Sequence, residues 1–156
     1  MAVLVYGALA AGIFGLDLFL KNHIEQKMEE GEEKSLCRGM LLIRKYHNKG
    51  AFLDIGEKRQ KAVAILSLGL TLFMSVVFLA TFSFRGNAVL KAGLALLLGG
   101  AYSNTYDRLA RKYVVDYVSF PVKNRRLRQI VFNISDFCII IGAFMMTLGE
   151  SRRKKK

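Results

Sequence analysis

Long apolar blocks separated by charged connections constrain the fold of this chain more than any other feature of its sequence. Hydrophobic residues make up 53% of its 156 residues and charged residues 23%, and the two kinds are segregated rather than interleaved. A helix needs about 20 apolar residues to cross a bilayer, and four blocks are long enough. We therefore expect an all-α membrane protein of one domain, residues 1–156. Its four transmembrane helices are expected at Ala2–Leu20, Ala62–Phe84, Ala88–Ser103 and Val131–Gly149.

The first block is interpreted as a retained helix and not as a signal peptide. No basic residues precede it, and Asp17 and Lys21 stand where a cleavage site would have small residues. These two charges are four residues apart, so a salt bridge near the end of a helix is their simplest structural explanation.

The formal net charge of +12 would suggest a nucleic-acid partner in a soluble chain. Here the basic residues flank apolar blocks, so we expect membrane lipids with anionic headgroups to be the counter-charge and expect no nucleic acid. Residues 151–156 are mostly Arg and Lys, and we expect a disordered basic tail. Neither Cys37 nor Cys138 has metal-site spacing, and no metal is expected.

The longest polar connection, Lys21–Lys61, contains the expected β structure. Residues Met40–His47 are strand-forming types, and Asn48-Lys49-Gly50 has the composition of a turn.

Counting spans places the unusual polar residues on one face of the membrane. With four spans, the first and third connections share a face, and the ends of spans one and three and the start of span four meet there. The polar residues at this face are Asp17, Lys21, Asn48, Asn104, Asp107, Arg108, Asp116, Asn133 and Asp136. Such convergence is not expected of a purely structural bundle. For Asn104, Asp107 and Arg108, which share one helical face, an ion pair at the helix end is the structural alternative.

Two aspartates are hardest to explain structurally. Asp116 lies in the apolar run Val114–Phe120, and Asp136 lies about one turn into the fourth block. A carboxylate at membrane depth is costly and indicates a functional site, and a pair of carboxylates suffices for acid–base hydrolysis. The structural alternative is an ion pair with Arg108 or with the basic cluster Lys123–Arg128.

Other hydrolytic chemistries lack their motifs. The chain contains no His-Glu-x-x-His zinc motif and no Gly-x-Ser-x-Gly nucleophile elbow, and neither cysteine has an evident histidine partner. The aspartyl route remains.

The complete set of motifs resembles the lipoprotein signal peptidase family, also called signal peptidase II. The family patterns D-x-x-x-K, N-x-G-A, G-G-A-x-G-N-x-x-D-R, V-V-D-[FY] and F-N-x-A-D match in order, and together they extend over nearly the whole chain. The matching blocks are Asp17–Lys21, Asn48–Ala51, Gly99–Arg108, Val114–Tyr117 and Phe132–Asp136.

The resemblance implies an aspartic endopeptidase in a bacterial inner (cytoplasmic) membrane, with four helices, a small extracytoplasmic β element around Met40–Ile55 and an extracytoplasmic active site. The substrates it implies are diacylglyceryl-modified prolipoproteins, cleaved without a cofactor and with inhibition by globomycin. Asp116 and Asp136 would form the catalytic dyad. The supporting residues it implies are Asp17, Lys21, Asn48, Gly50, Asn104, Asp107, Arg108 and Asn133.

The chain also departs from the family pattern. Ser103 replaces a glycine, Ser135 replaces an alanine, and the block at Ala51-Phe52 is one alanine short. The basic cluster Lys123–Arg128 lies where apolar residues are common in the family. These departures favour an alternative, a divergent or inactive paralogue that binds lipidated peptides or partner helices.

The distribution of positive charge disagrees with the orientation of the family. The first and third connections hold 10 and 7 Lys and Arg residues, whereas the second connection together with the start of the third block holds 2 and the tail holds 5. A simple positive-inside reading would therefore place the dyad in the cytoplasm. The first connection is long, which weakens the rule, and we expect the family orientation.

Overall fold

The computed structural model describes residues 1–50 and 57–153 and contains five α-helices and three strands in this part of the chain. The expectations for Ala51-Phe52 and for residues 154–156 lie outside the described residues. The helices are α1 (Ala2–Lys27), α2 (Gln60–Ala80), α3 (Ala88–Ala110), the short α4 (Arg125–Arg128) and α5 (Ile134–Arg153). The strands are β1 (Glu33–Leu36), β2 (Leu41–Asn48) and β3 (Val114–Ser119).

Three helical segments of the described chain are long and apolar enough to cross a membrane. They are Ala2–Lys27, Gln60–Ser83 and Ile134–Ser151, and they confirm three of the four expected spans. Their outward faces carry apolar side chains such as Leu66 and Phe73, each 63% exposed. Exposed apolar surface of this extent is typical of a protein that contacts lipid.

Helix α3 packs in the centre of the bundle. It contacts α1, α2 and α5, and its leucine and alanine side chains at Leu94 and Ala95 are fully buried. Polar residues along it, such as Lys91 and Asn104, are also buried. Neighbouring helices therefore cover much of the surface of α3.

Glycines allow α3 and α5 to approach closely. A Cβ atom at Gly93 would lie 2.8 Å from the carbonyl oxygen of Gly142, and one at Gly142 would lie 2.5 Å from the carbonyl oxygen of Gly93. At Gly100 the clash would be with the carbonyl oxygen of Ser135, at 2.5 Å. Small residues at these crossings are what membrane helices use for close packing.

The β element is a three-stranded antiparallel sheet in the order β1-β2-β3. The strand predicted at Met40–His47 is present as β2, but the sheet is not confined to the first connection. Strand β3 comes from the third connection and pairs Asp116 with Tyr46 and Val115 with His47. The sheet therefore carries Asp116 to the end of the bundle where α1 and α3 end and α5 begins.

The sheet is anchored to the end of α1 by a small apolar cluster. Val115 and Tyr117 pack with Ile24 and Met28. Because side chains alternate along a strand, Asp116 between them points to the other side. At the far end of the chain α5 continues to Arg153, so that the first three residues of the expected tail are helical.

Candidate active site

Asp116 is a buried carboxyl group held by two amide donors. It is 2% exposed. The Nδ2 atom of Asn48 donates to its Oδ2 at 3.1 Å, and the Nδ2 atom of Asn133 donates to its Oδ1 at 2.6 Å. Burial and then the negative charge of Asp136 raise the pKa of Asp116 to about 8, against the opposing effect of the two amides. Asp116 therefore holds its proton at neutral pH.

A capping box at the start of α5 positions the side chain of Asp136. The side chain of Asn133 accepts from the backbone N–H of Asp136 at 2.9 Å, and the side chain of Asp136 accepts from the backbone N–H of Asn133 at 3.0 Å. This reciprocal pair satisfies two backbone donors that the first turn of a helix leaves free. The local sequence Asn133–Asp136 thus forms the helix end and holds the half-buried carboxylate close enough to Asp116 for their charges to interact.

Two asparagine amides connect the aspartates, and their orientations follow from the donors around them. The Oδ1 atom of Asn104 accepts from Lys21 Nζ at 2.8 Å and from Asn133 Nδ2 at 3.2 Å. Its Nδ2 atom therefore faces Asp136 and donates to Oδ1 at 3.0 Å. An ammonium group can only donate, so Lys21 excludes the flipped amide.

Lys21 is fully buried among acceptors. Its ammonium lies 2.8 Å from Asp17 Oδ2 and 3.0 Å from Asp107 Oδ2, and it donates to Ser103 Oγ at 3.1 Å. The predicted salt bridge between Asp17 and Lys21 is therefore present. A buried charge must be paired, and here Arg111 supplies a second cation, 3.2 Å from Asp107 Oδ1.

An ion pair at the end of α3, the structural alternative for these residues, is present, but it joins Asp107 to Arg111 and Lys21 and does not include Arg108. Arg108 instead donates to the backbone oxygens of Asn104 and Gly50, both at 3.3 Å. Gly50 in turn donates its N–H to the Asn48 side chain at 3.1 Å. Arg108 thus holds the turn that presents Asn48 to Asp116.

Neither catalytic candidate is neutralised by an ion pair in the part of the chain that the structure describes. No basic side chain there lies within ion-pair distance of Asp116 or Asp136. From the basic cluster Lys123–Arg128, the side chain of Arg128 pairs instead with Glu33 at 3.6 Å. The structural alternative of an aspartate paired with Arg108 or Arg128 is therefore wrong for these side chains.

All ten site residues expected from the sequence belong to one connected network of hydrogen bonds and ion pairs. They are Asp17, Lys21, Asn48, Gly50, Asn104, Asp107, Arg108, Asp116, Asn133 and Asp136.

Three hydroxyl groups in this network were not expected from the sequence. Ser103 Oγ and Ser135 Oγ donate to Asp17 Oδ2 at 2.6 and 2.5 Å, and Tyr117 OH donates to Asp17 Oδ1 at 2.8 Å. Burial and the neighbouring charge of Asp17 raise the pKa of Tyr117, which stays a neutral donor. The sequence signals were that each hydroxyl residue adjoins a predicted site residue and that Ser103 and Ser135 depart from the family's glycine and alanine.

The arrangement is suited to hydrolysis by acid–base chemistry. A buried, protonated Asp116 and a half-buried Asp136 with donors on both oxygens are joined by shared amides, and their environments differ as an acid and a base require. Within residues 1–50 and 57–153, no group of three or more His, Cys, Asp and Glu side chains could hold a metal ion.

Comparisons with known proteins agree on one family. The family model described as "Signal peptidase (SPase) II" matches residues 9–151. The lipoprotein signal peptidase of Caldicellulosiruptor bescii is 30% identical over 145 residues, which cover 92% of this chain and 89% of that protein. That of Halalkalibacterium halodurans is 28% identical, with 98% of this chain and 97% of that protein covered.

The fold is also known from experiment. A solved bacterial membrane enzyme superposes with a TM-score of 0.79 at 21% identity, covering 96% of this chain and 89% of that one. A second bacterial membrane enzyme gives a TM-score of 0.76 at 22% identity. At these identities the likeness concerns the fold alone.

Proposed function

We propose a specific reaction for this chain, which belongs to the signal peptidase II family. The protein removes signal peptides from prolipoproteins as an aspartic endopeptidase, and Asp116 and Asp136 are its catalytic pair. The bond cleaved would be the one just before the diacylglyceryl-modified cysteine. The observation that carries the proposal is the joint binding of both aspartates by Asn133, whose amide donates to Asp116 while its backbone N–H donates to Asp136.

The two carboxyl groups would share one proton. Asp116 is protonated at neutral pH because its pKa is raised to about 8. The negative charge of Asp136 is stabilised by donors on both oxygens, from Asn104 Nδ2 and from the Asn133 backbone. Like charges in one site disfavour double ionisation, which keeps the pair singly protonated.

In the first step, Asp136 takes a proton from a water molecule whose oxygen attacks the scissile carbonyl carbon. Asp116 donates its proton to the carbonyl oxygen, and a neutral tetrahedral diol results. In the second step, Asp136 passes its proton to the leaving nitrogen, the C–N bond breaks, and a diol hydroxyl returns its proton to Asp116. The products are a carboxylic acid and an amine, and the starting protonation of the pair is restored.

The other polar residues would hold this pair in place. Lys21 fixes the amide of Asn104, and Arg108 fixes the turn that carries Asn48. Preorganised donors of this kind contribute to catalysis by removing the need for reorganisation during the reaction.

Placement in the membrane is part of the proposal. Helix α3 would be the fourth span: its 23 residues correspond to about 34 Å at the helical rise, enough for a hydrocarbon core of about 30 Å. The site would lie at the extracytoplasmic face of the bacterial inner membrane. Its location where α1 and α3 end and α5 begins supports a single face for all site residues.

The test is release of the signal peptide by the purified protein in detergent from a diacylglyceryl-modified prolipoprotein, with and without globomycin. Globomycin-sensitive release by the wild type, and none by Asp116→Asn or Asp136→Asn, is the expected result. Binding of the lipidated substrate without release by the wild type would instead support the binding-only paralogue.

A further inference from the structure

Asp17 is the point on which the hydroxyl groups of the site converge. Its carboxylate is 0% exposed. Oδ2 receives Lys21 Nζ, Ser103 Oγ and Ser135 Oγ, and Oδ1 receives Tyr117 OH. Three donors therefore converge on Oδ2 and one on Oδ1, and the carboxylate accepts from all four.

The three hydroxyl residues come from three different elements, and each is the sequence neighbour of a residue in the proposed active site. In α3 Ser103 precedes Asn104, in β3 Tyr117 follows Asp116, and in α5 Ser135 precedes Asp136. The buried Asp17 carboxylate on α1 therefore bonds to the sequence neighbours of Asn104, Asp116 and Asp136, which are the three side chains that the proposed active site brings together.

We propose that Ser103, Tyr117 and Ser135 are positioning residues that act through the Asp17 carboxylate to set the separation of the three elements that carry the active site. The inference rests on the proposed function and adds to it three residues whose side chains do not contact the reacting groups.

The physical reason lies in the strength of these bonds and in the burial of the carboxylate that accepts them. Hydroxyl-to-carboxylate hydrogen bonds of 2.5 to 2.8 Å are short and charge-assisted. Because Asp17 is fully buried, no bulk water can replace a bond that is lost when an element moves. Tyr117 adds a second constraint, since its oxygen accepts from the backbone N–H of Ile134, at the first residue of α5, at 3.2 Å.

Four variants remove the hydroxyl groups with little change of shape. They are Ser103→Ala, Ser135→Ala, Tyr117→Phe and the triple combination. Two controls remove buried hydroxyl groups that do not contact Asp17. Thr105→Val breaks the 3.0 Å bond between Thr105 and Thr71, one residue from Asn104. Ser119→Ala removes from β3 a buried hydroxyl that has no hydrogen-bond partner in the described part of the chain.

The first readout is steady-state cleavage of the lipidated prolipoprotein. We expect the triple variant to lose about tenfold to a hundredfold in kcat, the scale of a misplacement of about 1 Å, with KM changed by less than about twofold. Each single variant should lose less, and both controls should keep the kcat of the wild type. A lower melting temperature with unchanged kcat would overturn the proposal, because it would make the three hydroxyl groups purely structural.

The second readout does not need catalysis. Infrared titration of the Asp116 carboxyl band, assigned with Asp116→Asn, should show a midpoint near pH 8 in the wild type and in Thr105→Val. In the triple variant it should move toward the ordinary value, because a displaced β3 exposes Asp116 to water and alters its distance from Asp136, Lys21 and Arg108. An unmoved midpoint in the triple variant would overturn the proposal, whether or not the wild type cleaves. Failure of the wild type to cleave would by itself count only against the proposed function. Should the triple variant fail to fold, Tyr117→Phe alone, which keeps the buried ring, decides by both readouts.

Discussion

Asn133 and Asp136 each accept a hydrogen bond from the backbone of the other, at 2.9 and 3.0 Å, and so close the first turn of α5. The same two side chains also connect to the proposed catalytic site, Asn133 to Asp116 and Asp136 to Asn104. The same two side chains therefore cap α5 and belong to the proposed active site. Substitutions can separate their contribution to stability from their contribution to activity.

Replacing either proposed catalytic residue should abolish turnover. We expect Asp116→Asn and Asp136→Asn each to lower kcat/KM by about a thousandfold or more, and the double variant to be no worse than the singles, because the two groups act as one unit. The measurement is signal-peptide release from a lipidated prolipoprotein. Substantial turnover by either single variant would refute the dyad.

Asn133→Ala should cost more in activity than in stability. The loss of an N-cap lowers the free energy of unfolding by about 1 kcal/mol, whereas the loss of the amide leaves Asp116 without its 2.6 Å donor. The matched control is Asn87→Ala, which removes the N-cap of α3, where the Asn87 side chain accepts from the Leu90 N–H. We expect both variants to melt earlier in detergent but only Asn133→Ala to lose cleavage.

Lys21→Met should destabilise the protein strongly. Removal of the ammonium leaves the buried carboxylates of Asp17 and Asp107 without the cation that joins them, and breaking a buried pair costs about 3 to 5 kcal/mol. Lys91→Met is the control, because in the described part of the chain the ammonium of the buried Lys91 donates to the Phe84 carbonyl and lies over the Phe82 ring, without a carboxylate partner. Denaturant unfolding in detergent should rank Lys21→Met as the less stable. Equal loss would contradict the assignment of Lys21 as the central counter-ion.

Activity should fall as the pH rises through about 8, because Asp116 then loses the proton that it would donate to the carbonyl oxygen. Stability should change in the same direction. Folding raises the pKa of Asp116 from 3.8 to about 8, so the folded state binds the extra proton within this window and stability declines as pH rises across it. Asp116→Asn should lack this component when unfolding is followed against pH. A pH-independent difference between the two proteins would argue against the raised pKa.

The orientation can be tested with thiol labelling in intact cells. With Cys37 replaced by Ser, a cysteine at Glu30, whose side chain is 77% exposed, should react with a membrane-impermeant reagent, whereas one at Lys155 should not. The reverse pattern would support the positive-charge count over the family orientation.

Much of the site could be predicted from the sequence because its signals are local. The apolar blocks predict spans by length alone, and Asp17 and Lys21 meet because they are one helical turn apart. The parity of the spans then brings the polar residues to one face. None of these steps requires knowledge of how the helices pack.

Other features depended on the tertiary structure because the residues involved are far apart in the chain. The hydroxyl groups that reach Asp17 come from 86, 100 and 118 residues away, a separation that leaves no periodic trace in the sequence. Asp107 likewise pairs with Lys21 and Arg111, and not with Arg108, because of the way in which α3 packs against α1. The sequence by itself determined the apolar spans and the set of polar residues expected at one membrane face. Packing of α3 against α1 and α5, together with the addition of β3 to the sheet, decided which of those groups touch, because buried charges and hydroxyl groups take the partners that the closed bundle brings within hydrogen-bond distance.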